Sequence, residues 1–223
     1  MFKKPIIAIS LFFTLSMPVL AADDPLAGLG KPQQSQSVDN FVKPYMVVGN
    51  YKQDQNRVFM FFSYTCPYCQ QVWWGMEEWG KTIPSPYRFV SIPTITTIES
   101  SRVAAMAYFI AKELRPNRLH EFNRLAYAVG ENSRDISGKG YVNALFKIGL
   151  SEAEIRQALN SPQIDAQIKR AMNLAKRYNV RQTPSFAVAG KYTTDVGYAN
   201  GDYKTLVKLL NALVSKDIEE RSK

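Results

Sequence analysis

With 223 residues, 46% of them hydrophobic and 12% aromatic, the chain carries enough apolar material for a sizeable core in one domain with an inserted subdomain, and it shows no internal repeat or low-complexity block. The formal charge is +9, leaving +7 once Lys3 and Lys4 of an expected leader are subtracted. The basic residues are scattered over expected helices without a basic run or nucleic-acid motif, so the surplus reads as a solvated surface and no specific nucleic-acid partner is expected. A structural zinc site needs about four ligands; two cysteines and the single His120 do not make one, and no metal or cofactor is called for.

Lys3 and Lys4 precede an apolar run from Ile6 to Leu20 that ends in Val19-Leu20-Ala21-Ala22. Small residues at that end read as a secretory signal over residues 1–21, cut after Ala21 or Ala22. An uncleaved anchor is the competing reading, against which Pro18 and the small-residue end argue. An exported chain of bacterial character meets an oxidising periplasm, where a cysteine pair persists as a disulfide. No later stretch is long and apolar enough to span a bilayer. Residues 22–40, rich in Gln, Ser, Gly and Pro, read as a flexible lead-in. A first strand is expected around Tyr45 to Val48. From Val58 to Phe62 every residue is apolar and most are β-branched or aromatic, the pattern of a strand buried on both faces.

That strand runs into Cys66-Pro67-Tyr68-Cys69. Thr65 and Cys66 suit cap positions, and Pro67 suits a first helical turn, where its missing N–H would be an orphan anyway. Cys66 therefore sits at a helix N-terminus, where unpaired N–H groups and the helix dipole favour a thiolate. Its pKa is expected to fall below the roughly 8.5 of a free cysteine. Cys69, three residues on and turned inward, is placed to resolve a mixed disulfide. A purely structural bridge is the alternative, but it closes too small a loop to constrain the unfolded chain much.

Beyond Cys69, Val72, Trp73, Met76 and Trp79 fall roughly on one helical face with Trp74 elsewhere around it. Most of this is core, although the three tryptophans also suit an aromatic rim for unfolded substrate or a membrane partner. Gly75 and Gly80 weaken or end the helix. Tyr87 to Ile92 reads as a third strand stopped by Pro93. Residues 98–179 change to helical character. Val103, Met106, Ala107 and Ile110 mark one helix, stopped at Pro116, and Leu119, Phe122, Leu125, Ala126 and Val129 mark a second, ended by Gly130. Ser151 and Glu154 match a capping box, and Ile164, Ile168, Met172 and Ala175 a longer helix to Tyr178. His120, far from Cys66 in sequence, is read as structural or exposed. Strands are expected at Ser185–Ala189 and Tyr192–Val196 around a Gly190-Lys191 turn. A final helix from Asp202 to Val214 puts Tyr203, Leu206, Val207, Leu210 and Leu213 on its apolar side, followed by a frayed, charged tail at 216–223.

The stretch Phe61-Phe62-Ser63-Tyr64-Thr65-Cys66-Pro67-Tyr68-Cys69, a helical insertion of suitable length, and Val180-Arg181-Gln182-Thr183-Pro184-Ser185-Phe186 ahead of a Gly190-Lys191-Tyr192 hairpin together resemble the DsbA-like periplasmic thiol–disulfide oxidoreductases. The resemblance implies an α/β thioredoxin fold with an inserted all-helical subdomain, its two halves at 41–97 and 180–215 around the insertion at 98–179. It implies that Pro184 follows a cis peptide bond beside the cysteines and that Thr183 offers backbone groups to an extended substrate. An X-Pro bond is the common site for such an isomer.

The implied activity is a dithiol oxidase acting on exported, unfolded or partly folded cysteine-containing proteins, as a monomer, recharged by a quinone-linked membrane protein resembling DsbB. Two departures bear on it. Tyr68 stands where many of these oxidases have His, and Met60 where they have a buried acid six positions before the first cysteine. Both point to a less extreme oxidant. A reductase or isomerase of the same fold, or a thioredoxin-like client-binding chaperone with merely structural cysteines, are the alternatives.

Overall fold

The computed structural model of the protein describes residues 43–131 and 137–223. The expected signal over 1–21 and lead-in over 22–40 lie outside them. A five-stranded sheet has the order β1-β5-β4-β2-β3, built from β1 (Met46–Val47), β2 (Arg57–Phe62), β3 (Arg88–Pro93), β4 (Ser185–Val188) and β5 (Tyr192–Asp195). β2 pairs in parallel with β3, with Phe59 opposite Val90, and antiparallel with β4, with Met60 opposite Phe186. Flanked on both edges and covered on both faces, β2 is buried from Val58 through Phe62, as its unbroken apolar run requires.

Helix α1 (Pro67–Gly80) leaves the end of β2 after a four-residue loop. Between β3 and β4 the chain forms α2 (Glu99–Leu114), α3 (Leu119–Glu131), α4 (Lys139–Lys147), α5 (Glu152–Leu159) and α6 (Pro162–Arg177), and α7 (Tyr203–Arg221) follows β5. This is the thioredoxin arrangement with a helical block inserted between its halves. The local signals are largely where the sequence puts them. Ser151 and Glu154 close a reciprocal capping box on α5, Ser161 and Pro162 start α6, and Asp202 caps α7 by accepting from the Thr205 N–H at 2.6 Å.

The helical block is joined to the sheet by aromatic packing. Tyr108 of α2 stands edge-on to Phe62 at 5.3 Å and donates to the Ser91 carbonyl of β3. Tyr178, just past α6, packs on Phe59 and Phe61. Its hydroxyl donates to the buried Asp54 at 2.8 Å, which also takes Arg177 at 2.9 Å.

Five expectations need correction, one of them Tyr203, which is exposed and not part of the buried face of α7. The hairpin turn is Ala189-Gly190, one residue earlier than Gly190-Lys191. Both central residues have positive φ, 57° and 71°, and the Lys191 N–H closes the turn on the Val188 carbonyl, the geometry that twists two strands together. Met172 is exposed, because the buried stripe of α6 runs Ile164, Ile168, Ala171, Leu174. In α3 the buried stripe takes in Asn123 and Tyr127, while Leu125 and Val129 are only half-buried.

The charged end is no frayed tail. α7 continues to Arg221, and Asp217 is fully buried against Tyr87, Lys191 and Arg221. Among the described residues no helix is long and apolar enough to cross a membrane.

Candidate active site

The site begins where β2 ends. Ser63 and Thr65 share a hydroxyl hydrogen bond at 2.9 Å, and the Cys66 N–H donates to the Ser63 carbonyl at 3.2 Å, folding the loop back under the first turn of α1. Cys66 is the N-cap of that helix, in an extended conformation, with Pro67 in the first turn. Its sulfur accepts the Cys69 N–H at 3.3 Å, in the role a Ser or Asp oxygen plays at other helices.

The two sulfurs stand in different surroundings. Cys66 is partly exposed and Cys69 has no solvent contact. Hydrogen bonding from the Cys69 thiol, helped by the peptide N–H groups of Cys69 and Tyr68 and opposed by burial, lowers the Cys66 pKa to about 6. Burial, together with the thiolate it faces, pushes the Cys69 thiol well up. One sulfur is prepared as an anion and the other as a thiol.

Across from the pair, the Thr183–Pro184 bond is cis and Pro184 is buried at the head of β4. The Thr183 carbonyl accepts from the Cys66 thiol at 3.1 Å, joining groups 117 residues apart. The Ser185 hydroxyl donates to the Gln182 carbonyl at 2.6 Å and pins the turn.

Cys66, Cys69, Thr183 and Pro184 are therefore one constellation. Pro67 and Tyr68 lie on its exposed rim. The Tyr68 ring reaches the loop after β5, where a Cβ on Gly201 would lie 3.6 Å from its Cε1.

Trp79 parts from the other two tryptophans, whose rings meet edge-on at 5.9 Å. Trp79 is buried and donates to Asn211 of α7 at 2.9 Å. Trp73 is half-buried and stacks on Tyr127 at 5.6 Å, and Trp74 is exposed with its ring 4.0 Å from that of His120.

Sequence reasoning passed over a polar chain behind the pair. Tyr64, buried two residues ahead of Cys66, donates to Asn123 at 2.6 Å, and Asn123 donates to Glu77 at 3.0 Å. His120 sets its Nδ1 3.8 Å from the same carboxylate. The available signal was helical spacing, since Cys69, Trp73 and Glu77 follow at intervals of four along α1.

The family model of the DSBA-like thioredoxin domain matches residues 74–211. The chain belongs to the DSBA-like thioredoxin family. That match begins past Cys69, so the cysteine motif stands on its own geometry beside it.

Among curated relatives, the thiol:disulfide interchange protein DsbA of Bordetella parapertussis is 28% identical over 157 residues, 70% of this chain and 74% of the relative. Its namesake from Pseudomonas aeruginosa is 26% identical over 172 residues, 72% and 75% of the two chains. The crystal structure of Pseudomonas aeruginosa DsbA superposes with a TM-score of 0.71 at 22% identity, over 81% of this chain and 95% of that one. An oxidoreductase of N. meningitidis gives 0.67 at 18% identity, over 90% and 100%. The reading as a thiol:disulfide oxidoreductase of this DsbA-like family stands.

Proposed function

We propose that the protein is a dithiol oxidase in which Cys66 is the exchanging sulfur and Cys69 the resolving one. The observation that carries this is the asymmetry of the pair: an accessible, capped Cys66 with its pKa lowered to about 6, in front of a fully buried Cys69. A substrate thiolate attacks Cys66 of the oxidised enzyme, the Cys66–Cys69 bond breaks, and the electron pair leaves on Cys69, which takes a proton. A second substrate thiolate then attacks its own sulfur in the mixed disulfide. The substrate disulfide forms and Cys66 departs as a thiolate. A thiol of low pKa is the better leaving group, and the stabilised thiolate favours the reduced enzyme, so the disulfide passes outward.

Thr183 and Pro184 supply the edge against which an extended substrate lies, and Pro67 and Tyr68 the surface it crosses. A relative from Proteus mirabilis has been solved with a non-covalently bound peptide, PWATCDS, which contains a cysteine. Substrates of the same kind, cysteine-bearing segments of exported proteins, fit this site. The compartment that keeps such a pair oxidised is the periplasm. The chain works there as a monomer after removal of residues 1–21, and a DsbB-like membrane protein reoxidises it.

The deciding experiment is the reduction potential of the Cys66–Cys69 couple in glutathione buffers on the mature protein. A value of about −120 to −180 mV is expected. A value near about −270 mV, that of thioredoxin, overturns the outward direction and makes the protein a reductase.

A further inference from the structure

On the helix that begins with the redox pair lies a carboxylate that the thiol exchange itself does not use. Glu77 shares the face of α1 that carries Cys69 and Trp73. With Met60, Phe62, Trp73, Asn123 and Tyr127 it lines a small cavity between the sheet and α3, and its side chain is only 27% exposed. Such a site disfavours a charge, and burial pushes the Glu77 carboxyl up, against His120, the Asn123 amide and Lys81.

The groups that face it come from every neighbouring element. Tyr127 and His120 project from α3, Tyr108 from α2, Tyr64 from the loop before Cys66, and Lys81 from the end of α1. The three tyrosines are held protonated by burial, which leaves His120 and Lys81, with the Asn123 amide, as the side chains that act on Glu77 against burial. Trp73 stands between Cys69 and Glu77 on this face of α1 and stacks on Tyr127 at 5.6 Å, and the Tyr127 hydroxyl is pushed up by burial and by Cys69, Cys66 and Glu77, so the carboxylate and the buried cysteine adjoin one aromatic wall.

We propose that Glu77 sets the charge state of the Cys66–Cys69 couple: it is a carboxylate while the pair is a disulfide, and it takes up a proton when Cys66 becomes a thiolate, with the half-exposed His120 as its link to solvent. Two substrate thiols lose two electrons and two protons as their disulfide forms. The Cys66–Cys69 bond breaks and keeps both electrons, one proton goes to the Cys69 sulfur, and Cys66 stays anionic. The second proton is left over. Two anions across a poorly polarisable wall raise each other's proton affinity, so Glu77 holds a share of that proton instead of all of it passing to solvent.

The inference rests on the pair being redox-active, and the test reads the two separately. In mature protein labelled at glutamate carboxyl carbons, the Glu77 resonance is titrated by NMR in the oxidised and the reduced state, and it is expected to titrate at higher pH when reduced. In parallel, Glu77→Gln keeps the length of the side chain and an acceptor for Asn123. Its equilibrium constant with glutathione is expected to move threefold or more toward the reduced enzyme, about 14 mV more oxidising, at pH values where Glu77 is ionised in the disulfide form. The shift should vanish where the carboxyl is protonated.

A merely structural Glu77 would alter thermal stability and leave both readings in place. Identical carboxyl titrations in the two states overturn the proposal, as does a folded Glu77→Gln variant with an unchanged constant. If Glu77→Gln does not fold, the titration of the unaltered protein decides. Absence of any glutathione equilibrium in the unaltered protein overturns the redox reading itself.

Discussion

At the scale of single residues, the chemistry lies in the difference between two identical side chains. Cys66 is the cap of a helix and Cys69 is inside it, and that placement separates their proton affinities in opposite directions. In the reduced protein, alkylation should therefore modify Cys66 alone, with a rate that rises through a half-maximum near pH 6. A half-maximum near the ordinary thiol value would contradict the capping geometry. The same shift acts on stability. A folded-state pKa below the unfolded one contributes stability that is fully present above the unfolded thiol value, roughly 8.5 for a free cysteine, and loses it as pH falls through about 6. Denaturation of the reduced protein should show that gain between about pH 6 and 8.5, absent from a Cys66→Ser variant.

The placement of the pair was legible in the sequence because a cap, a first-turn proline and a second cysteine all lie within four residues. Thr183 was not legible from local pattern, since its 3.1 Å contact with Cys66 crosses 117 residues. It came from resemblance, as did the cis bond before Pro184.

At the scale of elements, the loop that carries Cys66 is held from behind by α3. A Cβ on Gly130 would stand 1.9 Å from the Tyr64 carbonyl oxygen and 2.4 Å from its carbon, both backbone atoms that cannot swing away. The bare glycine is what lets α3 touch the loop. Alanine is favoured over glycine in a helix by about 1 kcal/mol, and overpacking costs about 1–3 kcal/mol. Overlap with backbone sits at the upper end, so Gly130→Ala should lose about 1–2 kcal/mol in urea denaturation. It should also slow disulfide transfer by displacing Tyr64 and the loop below Cys66. A variant as stable and active as the parent would show that this approach is not needed.

Periodicity read Gly130 as a helix end, because a glycine at the close of an apolar pattern is the usual stop signal. α3 does close beside it, at Glu131; what no local pattern encodes is the long-range contact of Gly130 with the Tyr64 carbonyl. The stripe of α3 was misjudged for a related reason. Asn123 occupies a buried position that apolar counting passes over, and it is tolerated there because Tyr64 and Glu77 satisfy its amide.

At the scale of the molecule, two buried acids fasten the parts that the sequence leaves far apart. Asp54, ahead of β2, holds Arg177 and Tyr178 at the end of the helical block. Asp217 holds Lys191 of the hairpin turn at 2.9 Å, Arg221 at 2.5 Å and the Tyr87 hydroxyl at 2.6 Å, tying α7 to the sheet. The final helix was cut short in the sequence reading because residues 216–223 are mostly charged. Yet Leu210, Leu213, Val214 and Asp217 keep helical spacing, and Asp217 takes the next core position with its charge paired.

Breaking a wholly buried ion pair costs about 3–5 kcal/mol; here only Asp217 is fully buried, while Lys191 and Arg221 keep 21% and 32% exposure, so losing the acid costs less, about 1–3 kcal/mol. Asp217→Asn keeps the shape and a partner for Tyr87 but leaves Arg221 without its carboxylate and Lys191 with Glu220 alone. Denaturation of the oxidised variant should show a loss in that range, and deletion of residues 216–223 at least as much. Along α7, Asp217 lies about 22 Å from the Asp202 end that adjoins Tyr68, beyond a Debye length of about 10 Å at 0.1 M salt. The glutathione equilibrium of the Cys66–Cys69 couple should therefore stay unchanged in Asp217→Asn. Equal stability would show that the terminal turns of α7 are dispensable after all, whereas a shifted potential would mean that the anchoring of α7 reaches the redox site through the body of the fold.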